Sequence, residues 1–192
     1  MDYKIRTFIG VEIGEKSRIQ AANFSKKLQD LDADIKWEPP HKFHVTLKFM
    51  DEKLNEEVND IFVRVQRAVK DLPPFTLGLK GAGAFPNVMK PRNVWIGIGE
   101  GRAEITEVAR RIDQAMQEIG FPRELRPFTP HVTLGRVKRA TPALADLSEL
   151  LAQYGNIDLG KSYIQSVTVF ASHMARSGSS YTVLATCPLA GE

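Results

Sequence analysis

The stretch His44-Val45-Thr46-Leu47 occurs twice in this chain of 192 residues, because the same four residues return as His131-Val132-Thr133-Leu134. Around both copies, β-branched and apolar residues alternate in a pattern typical of a strand. A strand sends residues i and i+2 to the same face, so each copy presents one imidazole and one hydroxyl on a single surface. Two such surfaces facing each other would form a symmetric site. We predict that this is the active site.

The rest of the chain indicates an irregular mixture of strands and helices. Hairpins broken by Pro, rather than a strict alternation of strand and helix, favour an α+β fold with largely antiparallel sheets. We expect one domain over residues 1–192, with lobes at about 1–85 and 86–192 around a central cleft and one His-x-Thr strand in each. Terminal strands can cross between the lobes. The pattern predicts these elements, among others: a strand Tyr3–Ile13, a helix Leu54–Leu72, a strand Ile157–Ala171 and a Gly/Ser-rich loop His173–Ser180.

Composition limits the classes of protein that fit. A hydrophobic content of 43% is ample for a buried core, and no apolar run is long enough to span a membrane. Cys187 is the only cysteine, so a disulfide within the chain is impossible and a reducing cytoplasm is the expected location. The net charge of +3 permits a polyanionic partner without requiring one. We expect a monomer with no obligate protein partner.

The paired histidines are suited to proton transfer, because the unperturbed pKa of an imidazole lies close to neutrality. One neutral ring can take a proton from an attacking water while the other, protonated, gives a proton to a leaving oxygen. Thr46 and Thr133 would donate hydrogen bonds to the two non-bridging oxygens of a phosphodiester. Arg126 and Arg136 lie nearby in the sequence and would neutralise its charge. These residues favour phosphoryl chemistry. The sequence contains no Gly-x-Ser-x-Gly motif, the nucleophile elbow that would indicate acyl transfer.

Three alternatives remain open on the residues alone. Metal binding is one, since His41 and His44 have a spacing that can chelate on a helix. This segment follows Pro39-Pro40 and runs into a strand, where residues i and i+3 face opposite ways. No Asp or Glu lies within either motif strand, so we expect no metal and no cofactor. The motif histidines could instead be half-buried strand residues bonded to carbonyls. They could also contact phosphate in an RNA-binding module without catalytic activity.

The doubled His-x-Thr-x pattern resembles the 2H phosphoesterase superfamily. Its surroundings are similar to the RNA 2′,3′-cyclic phosphodiesterases, historically called 2′–5′ RNA ligases, and the likeness covers nearly the whole chain. The resemblance implies a two-lobed α+β fold with pseudo-two-fold symmetry. Four stretches show the likeness: Arg6-Thr7-Phe8-Ile9-Gly10, His44-Val45-Thr46-Leu47-Lys48-Phe49, Pro91-Arg92-Asn93-Val94-Trp95-Ile96-Gly97 and Arg126-Pro127-Phe128-Thr129-Pro130-His131-Val132-Thr133-Leu134-Gly135-Arg136.

The resemblance also implies metal-free hydrolysis of an RNA 2′,3′-cyclic phosphate to a 2′-phosphate. His44 would protonate the departing 3′ oxygen, and His131 would activate the water. Arg136 is expected on the phosphate and Phe49 against the terminal base, although strict alternation puts both on the opposite face, so each needs a bulge or a strand end. Substrates would be RNA ends or small cyclic nucleotides, and the same site could run reversible 2′–5′ ligation. Further basic residues could guide an RNA backbone: Lys90, Arg92, Arg123 and Arg139.

Overall fold

A computed structural model describes residues 4–54, 57–175 and 178–191. This part of the chain forms nine strands and four α-helices, and the predicted α+β fold is confirmed. The elements are β1 Lys4–Glu12, α1 Glu15–Gln29, β2 Ile35–Trp37, β3 His44–Leu54, α2 Glu57–Val69, β4 Phe75–Phe85, β5 Asn93–Ile98, α3 Arg102–Gln117, β6 His131–Val137, α4 Ala143–Gln153, β7 Asp158–Ile164, β8 Ser166–Ala175 and β9 Gly178–Pro188.

The strands form one antiparallel sheet with the two motif strands in its middle. The strand order is β7-β4-β5-β6-β3-β1-β8-β9, and β2 pairs with β6 at the side. β3 and β6 meet where Val45 pairs with Val132. These two valines occupy the same position in the repeated tetrapeptide, so a pseudo-two-fold axis passes between them. The expected pseudosymmetric architecture is confirmed.

The two halves of the sheet do not follow one another along the chain. One half contains β3, β1, β8 and β9, and the other contains β6, β5, β4 and β7. β4 lies before residue 85 but forms ladders with β5 and β7, and α1 packs against β7. β8 and β9 extend the ladder of β1. Hydrogen-bonded ladders therefore join elements from both sides of the boundary expected near residue 85.

Two predicted elements include residues that the structure does not describe. Tyr3, at the start of the predicted first strand, lies outside the described residues, as do residues 55–56 within the predicted helix Leu54–Leu72. In the described chain β3 continues to Leu54 because it remains paired with β1 up to that residue. The predicted start of the helix at Leu54 is therefore wrong.

Two predictions near the C-terminus are also wrong. The predicted strand Ile157–Ala171 is two strands, because the chain leaves the edge of one half of the sheet before Gln165 and enters the other half after it. The predicted loop His173–Ser180 is a hairpin in its described part, with His173 paired to Ser180. Backbone hydrogen bonds of the β8–β9 ladder outweigh the weak strand preference of its Gly and Ser residues.

Helices α2 and α3 pack on the face of the motif strands opposite to the motif His and Thr side chains. Val45 and Val132 are fully buried in a core that also contains Ile61 of α2 and Ile112 of α3. Alternation along each strand then directs the motif His and Thr side chains to the opposite face. No helix in the described ranges is long and apolar enough to cross a bilayer.

Candidate active site

Both motif strands contain a bulge at the same place. In the ladder between β1 and β3, Leu47 has no partner, because Thr46 and Lys48 pair with consecutive residues of β1. In the ladder between β5 and β6, Leu134 is left out in the same way. One extra residue reverses the face that the following side chains occupy. The two bulges are therefore equivalent under the pseudo-two-fold symmetry.

The bulges explain how Phe49 and Arg136 reach the motif face. Phe49 is 71% exposed, Arg136 is also exposed, and both side chains line the space beside the motif threonines. The preceding residues, Lys48 and Gly135, are buried. The sequence required a bulge or a strand end for these two residues, and a bulge is present in each strand.

Each motif histidine is held by the same hydrogen bond. The Nδ1 atom of His44 lies 2.6 Å from the carbonyl oxygen of Lys42, and Nδ1 of His131 lies 2.6 Å from the carbonyl oxygen of Thr129. A carbonyl can only accept, so Nδ1 carries the hydrogen in both rings. The Nε2 atom of each ring is then the one left for proton transfer. For His44, Nε2 also lies 2.9 Å from Oγ1 of Thr46.

The His44 ring is packed among aromatic side chains. Ring centroids lie 4.9 Å from Phe8, 5.9 Å from Phe170 and 5.6 Å from Tyr181, which meets the imidazole edge-on. Gly10 of β1 permits this close approach, since a Cβ there would lie 3.3 Å from Cδ2 of His44 and 2.8 Å from the carbonyl oxygen of Val45. These contacts fix the ring orientation and exclude water from one side of it.

The His131 ring has a different aromatic surrounding. Its centroid lies 4.9 Å from that of Phe85, edge-on, and 6.1 Å from that of Trp95. β5 places Gly97 opposite His131 in the ladder, as β1 places Gly10 next to His44. Both histidines are half-buried, so each has a protected side and an open side.

Two adjoining pockets form one cleft across the motif strands. The pocket on the β3 side, about 360 Å³, is lined by His44, and the pocket on the β6 side, about 830 Å³, is lined by His131. Pairing of Val45 with Val132 sets His44 across from Thr133, so the two histidines lie on a diagonal of the motif face. The side chains shared by the two pockets are Thr46, Phe49, Thr133 and Arg136.

Arg126 lies on the β6 side of this cleft. It belongs to the irregular segment before β6, is exposed, and lines the same pocket as His131. Its backbone N–H bonds to Oε1 of Glu124 at 3.2 Å. Arg136 lines both pockets and therefore lies nearer to the middle of the cleft. The structure brings the motif histidines and threonines, Phe49, Arg126 and Arg136 to one cleft, whereas Arg123 and Arg139 line neither of its pockets.

Burial lowers the pKa of both histidines, but their charged neighbours have opposite signs. Desolvation is the main reason that the pKa of His44 is lowered, while the Lys42 carbonyl and Glu38 act to raise it and His131 lowers it further. Desolvation also lowers the pKa of His131, the Thr129 carbonyl raises it, and the charge of Arg136 lowers it further. A carboxylate thus favours the imidazolium form of His44, and a guanidinium favours the neutral form of His131.

Several cleft residues on the β3 side were not singled out from the sequence. Tyr181, Lys42 and Glu38 line this pocket, and burial raises the pKa of Tyr181. The amine of Lys42 donates to the carbonyl oxygen of Ser179, which fixes β9 beside the motif strand. Tyr181 directly follows the predicted loop His173–Ser180, and no local signal indicated it, because the β1–β8 and β8–β9 ladders bring it to His44.

The other two histidines lie outside this constellation. His41 is exposed in a 3-10 turn before β3, and His173 is exposed in the β8–β9 hairpin. Within the described ranges, no group of three or more His, Cys, Asp or Glu side chains has an arrangement that could hold a metal ion. The lone thiol of Cys187 is buried, and burial raises its pKa to about 11.

Comparison with known proteins agrees with this geometry. A sequence profile described as the 2′-5′ RNA ligase superfamily matches residues 17–169, which include both motif strands. The chain belongs to this superfamily. The resemblance seen in the sequence is therefore confirmed.

Relatives of this superfamily member cover almost its full length. The RNA 2′,3′-cyclic phosphodiesterase of Aquifex aeolicus is 31% identical over 94% of this chain and 95% of its own. The enzyme of the same name from Methanothermobacter thermautotrophicus is 31% identical over 93% and 96%. The crystal structure of TT0787 from Thermus thermophilus has a TM-score of 0.83 at 26% identity, covering 97% of this chain and 99% of that one. Escherichia coli LigT, with a TM-score of 0.77 at 23% identity over 97% and 99%, shares the fold.

Proposed function

We propose that this protein hydrolyses RNA ends that carry a 2′,3′-cyclic phosphate, leaving a 2′-phosphate and a 3′-hydroxyl. The observation that supports this best is the pair of His-x-Thr motifs facing one cleft, each with Nδ1 held by a carbonyl and Nε2 left for the reaction. Relatives about one-third identical in sequence are RNA 2′,3′-cyclic phosphodiesterases, which supports the choice of substrate.

In the proposed reaction the two histidines have different roles. Nε2 of neutral His131 takes a proton from a water molecule whose oxygen attacks phosphorus. The bond between phosphorus and the 3′ oxygen breaks, and Nε2 of protonated His44 gives its proton to that oxygen. Glu38 near His44 and Arg136 near His131 favour these starting forms. A proton passing through bulk water from His131 to His44 restores both rings.

The threonines and arginines stabilise the charge of the phosphate in this proposal. Thr46 and Thr133 lie between the histidines and can each donate a hydrogen bond to one non-bridging oxygen. Arg136, in the middle of the cleft, binds the phosphate, and Arg126 adds charge at the β6 side. Exposed Phe49 offers a stacking surface for the terminal base. RNA ends and small cyclic nucleotides share this terminal group.

One incubation separates this proposal from its alternatives. The protein is mixed with an oligoribonucleotide ending in a 2′,3′-cyclic phosphate in the presence of EDTA, and the products are resolved by chromatography. We expect turnover to a 2′-phosphate. Binding without turnover would instead support an RNA-binding module, and loss of turnover in EDTA would indicate a required metal. A joined product with a 2′–5′ linkage would show that the same site runs the reverse reaction.

A further inference from the structure

A second groove lies directly beside the cleft. Its walls are the turn before β5, the last residues of β6 with the segment that follows, and one side of α4, and its volume is about 1110 Å³. Apolar surface is present along it, including Leu144 of α4 and Met89, which is 77% exposed. We call this feature the basic groove because five Lys and Arg side chains line it.

Positive charge dominates the lining of the basic groove. Arg139 forms an ion pair with Asp34 at 2.6 Å, but its side chain is 85% exposed, so water screens this pair. For the other four basic residues, no ion pair is found within the part of the chain that the structure describes. Among the residues that the structure describes, five basic side chains line the groove against one acid, Glu149; the basic ones are Lys90, Arg92, Arg136, Lys138 and Arg139.

The basic groove is continuous with the candidate active site. Arg136 lines the groove and both pockets of the cleft. Lys90 and Arg92 of the turn before β5, and Asn93 at the start of β5, line the groove and the pocket that contains His131. The groove and the cleft therefore adjoin, and a polymer whose end lies between the two histidines passes these shared residues when it leaves the cleft toward the groove.

Hydrogen bonds hold the basic residues in place. Oδ1 of Asn87 accepts from the backbone N–H groups of Met89 and Lys90 at 3.1 and 3.0 Å, which fixes the turn. The N–H of Val137 donates to the carbonyl oxygen of Arg92 at 2.9 Å and ties that turn to the end of β6. Because the backbone is already ordered, little conformational entropy is lost when a ligand binds.

We propose that the basic groove binds the RNA strand on the 5′ side of the terminal nucleotide. This proposal rests on the proposed function, since it is the terminal cyclic phosphate that places the strand. Single-stranded RNA carries one negative charge per nucleotide and exposes apolar faces of its bases, and the groove offers cations above apolar side chains. A mononucleotide would occupy only the cleft, whereas a longer RNA would also occupy the groove. The protein should therefore bind longer RNA ends more tightly than mononucleotides.

The test compares two ligands that cannot be turned over. One is a fluorescently labelled RNA of about ten nucleotides ending in a 2′-phosphate, and the other is cytidine 2′-monophosphate, which reaches only the cleft. Binding is measured by fluorescence anisotropy, directly for the RNA and by competition for the mononucleotide. The variant is the double substitution Lys138→Glu and Arg139→Glu, because both residues are exposed and line the groove but not the cleft. The matched control is Lys16→Glu, an exposed charge in the first turn of α1.

We expect the double substitution to weaken binding of the RNA by about 10-fold or more and to leave the mononucleotide within about 2-fold. The slope of log Kd against log salt for the RNA should fall by about 1 to 1.5. The control should bind both ligands like the wild type. Wild-type protein that binds the RNA no better than the mononucleotide would overturn the proposal, and so would a double variant that binds RNA normally or loses both ligands equally. These results do not depend on turnover, so failure of the proposed function would be seen separately as absence of hydrolysis.

Discussion

The half of the cleft around His44 and the half around His131 share one frame. Both rings donate Nδ1–H to the carbonyl oxygen two residues earlier at 2.6 Å, and both strands bulge after the motif threonine. An aromatic ring of the adjacent strand stands near each imidazole, Phe8 in one half and Trp95 in the other. The repeated tetrapeptide thus brings with it the geometry that holds each histidine.

The two halves differ in charge and in what lies behind the strands. Glu38 is the charged neighbour that favours protonated His44, while Arg136 favours neutral His131. Behind β3, buried Lys48 bonds to Asp113 of α3, whereas the equivalent position of β6 is Gly135, covered by β2. Symmetry positions two identical groups, and we infer that the unsymmetrical residues around them assign their roles.

The largest effect is expected from removing either imidazole. His44→Ala and His131→Ala should each lower turnover of the cyclic phosphate by about 10² or more, because each removes one proton-transfer group. The measurement is the steady-state rate on an oligoribonucleotide with a 2′,3′-cyclic end. His173→Ala is the control, since that histidine is exposed in the β8–β9 hairpin. Wild-type turnover by either motif variant would contradict the proposed mechanism.

The next largest effect is expected at the threonines. Thr46→Ala and Thr133→Ala should each reduce kcat by on the order of 10-fold to 10³-fold, because one hydrogen bond to the developing phosphate charge is lost. Thr→Ser at the same positions keeps the hydroxyl and should restore most of the rate. If the Ala variants turn over like the wild type, or if Ser is as poor as Ala, the hydroxyls do not have this role.

A smaller effect separates the halves by their pH dependence. Both histidine pKa values are lowered by burial, so kcat/KM should be bell-shaped and peak on the acid side of the ordinary value of 6.5. A general acid is active only when it is protonated. The pKa of His44 should therefore set the alkaline limb of the profile, where kcat/KM falls with rising pH. Glu38→Gln removes a charge that raises the pKa of His44, and this limb should move to lower pH by a few tenths of a unit. If Glu38→Gln moves instead the limb where kcat/KM rises with pH, His44 is the general base.

The smallest effect on turnover, no more than a few-fold, is expected for substitution of buried Lys48, which should change the stability of the fold instead. Nζ of Lys48 lies 2.6 Å from Asp113 and 2.9 Å from the carbonyl oxygen of Pro122, so it anchors the segment that leads to Arg126. Lys48→Met should lower the free energy of unfolding by about 1–3 kcal/mol, because buried polar partners lose their donor. Denaturant unfolding measures this change. Lys16→Met is the exposed control, and equal stability of the two variants would contradict the anchoring role.

Substitution of Gly135, which is equivalent to Lys48 in the other half, should lower stability for a different reason. A Cβ at Gly135 would lie 2.8 Å from Cγ2 of Ile35 and 2.8 Å from Cε3 of Trp37, both on β2. Gly135→Ala should therefore cost about 1–3 kcal/mol of unfolding free energy through overpacking. Unfolding measured as for Lys48→Met checks this, and an unchanged midpoint would mean that β2 can move away at little cost.

The motif strands and the α+β class could be predicted because the signal was local. Alternation around each His-x-Thr gave the strands, and the need for Phe49 and Arg136 to face the motif indicated a bulge or a strand end. The order in which the chain visits the strands was harder to predict from the sequence, because no Pro or Gly marks the turn at Gln165. Ladders between residues far apart in sequence decide where β4, β8 and β9 lie.

The unsymmetrical part of the site could not be predicted from the motifs. Glu38 and Tyr181 reach His44 from separate segments. Glu38 follows β2, which pairs with β6, and Tyr181 lies on β9, which is joined to β1 through β8. One further signal was available. Phe8-Ile9-Gly10 and Trp95-Ile96-Gly97 have the same separation as the two motifs, so the repeat extends to the strands that hold the histidines.

The most direct test of the division of roles replaces the bridging 3′ oxygen of the cyclic phosphate by sulfur. A thiolate leaves without needing a proton, so the general acid becomes dispensable and the base does not. We expect the defect of His44→Ala, about 10² or more on the oxygen substrate, to shrink to less than about 10-fold on the sulfur substrate, and that of His131→Ala to stay unchanged. Equal defects on both substrates, or rescue of His131→Ala instead, would show that His44 is not the general acid.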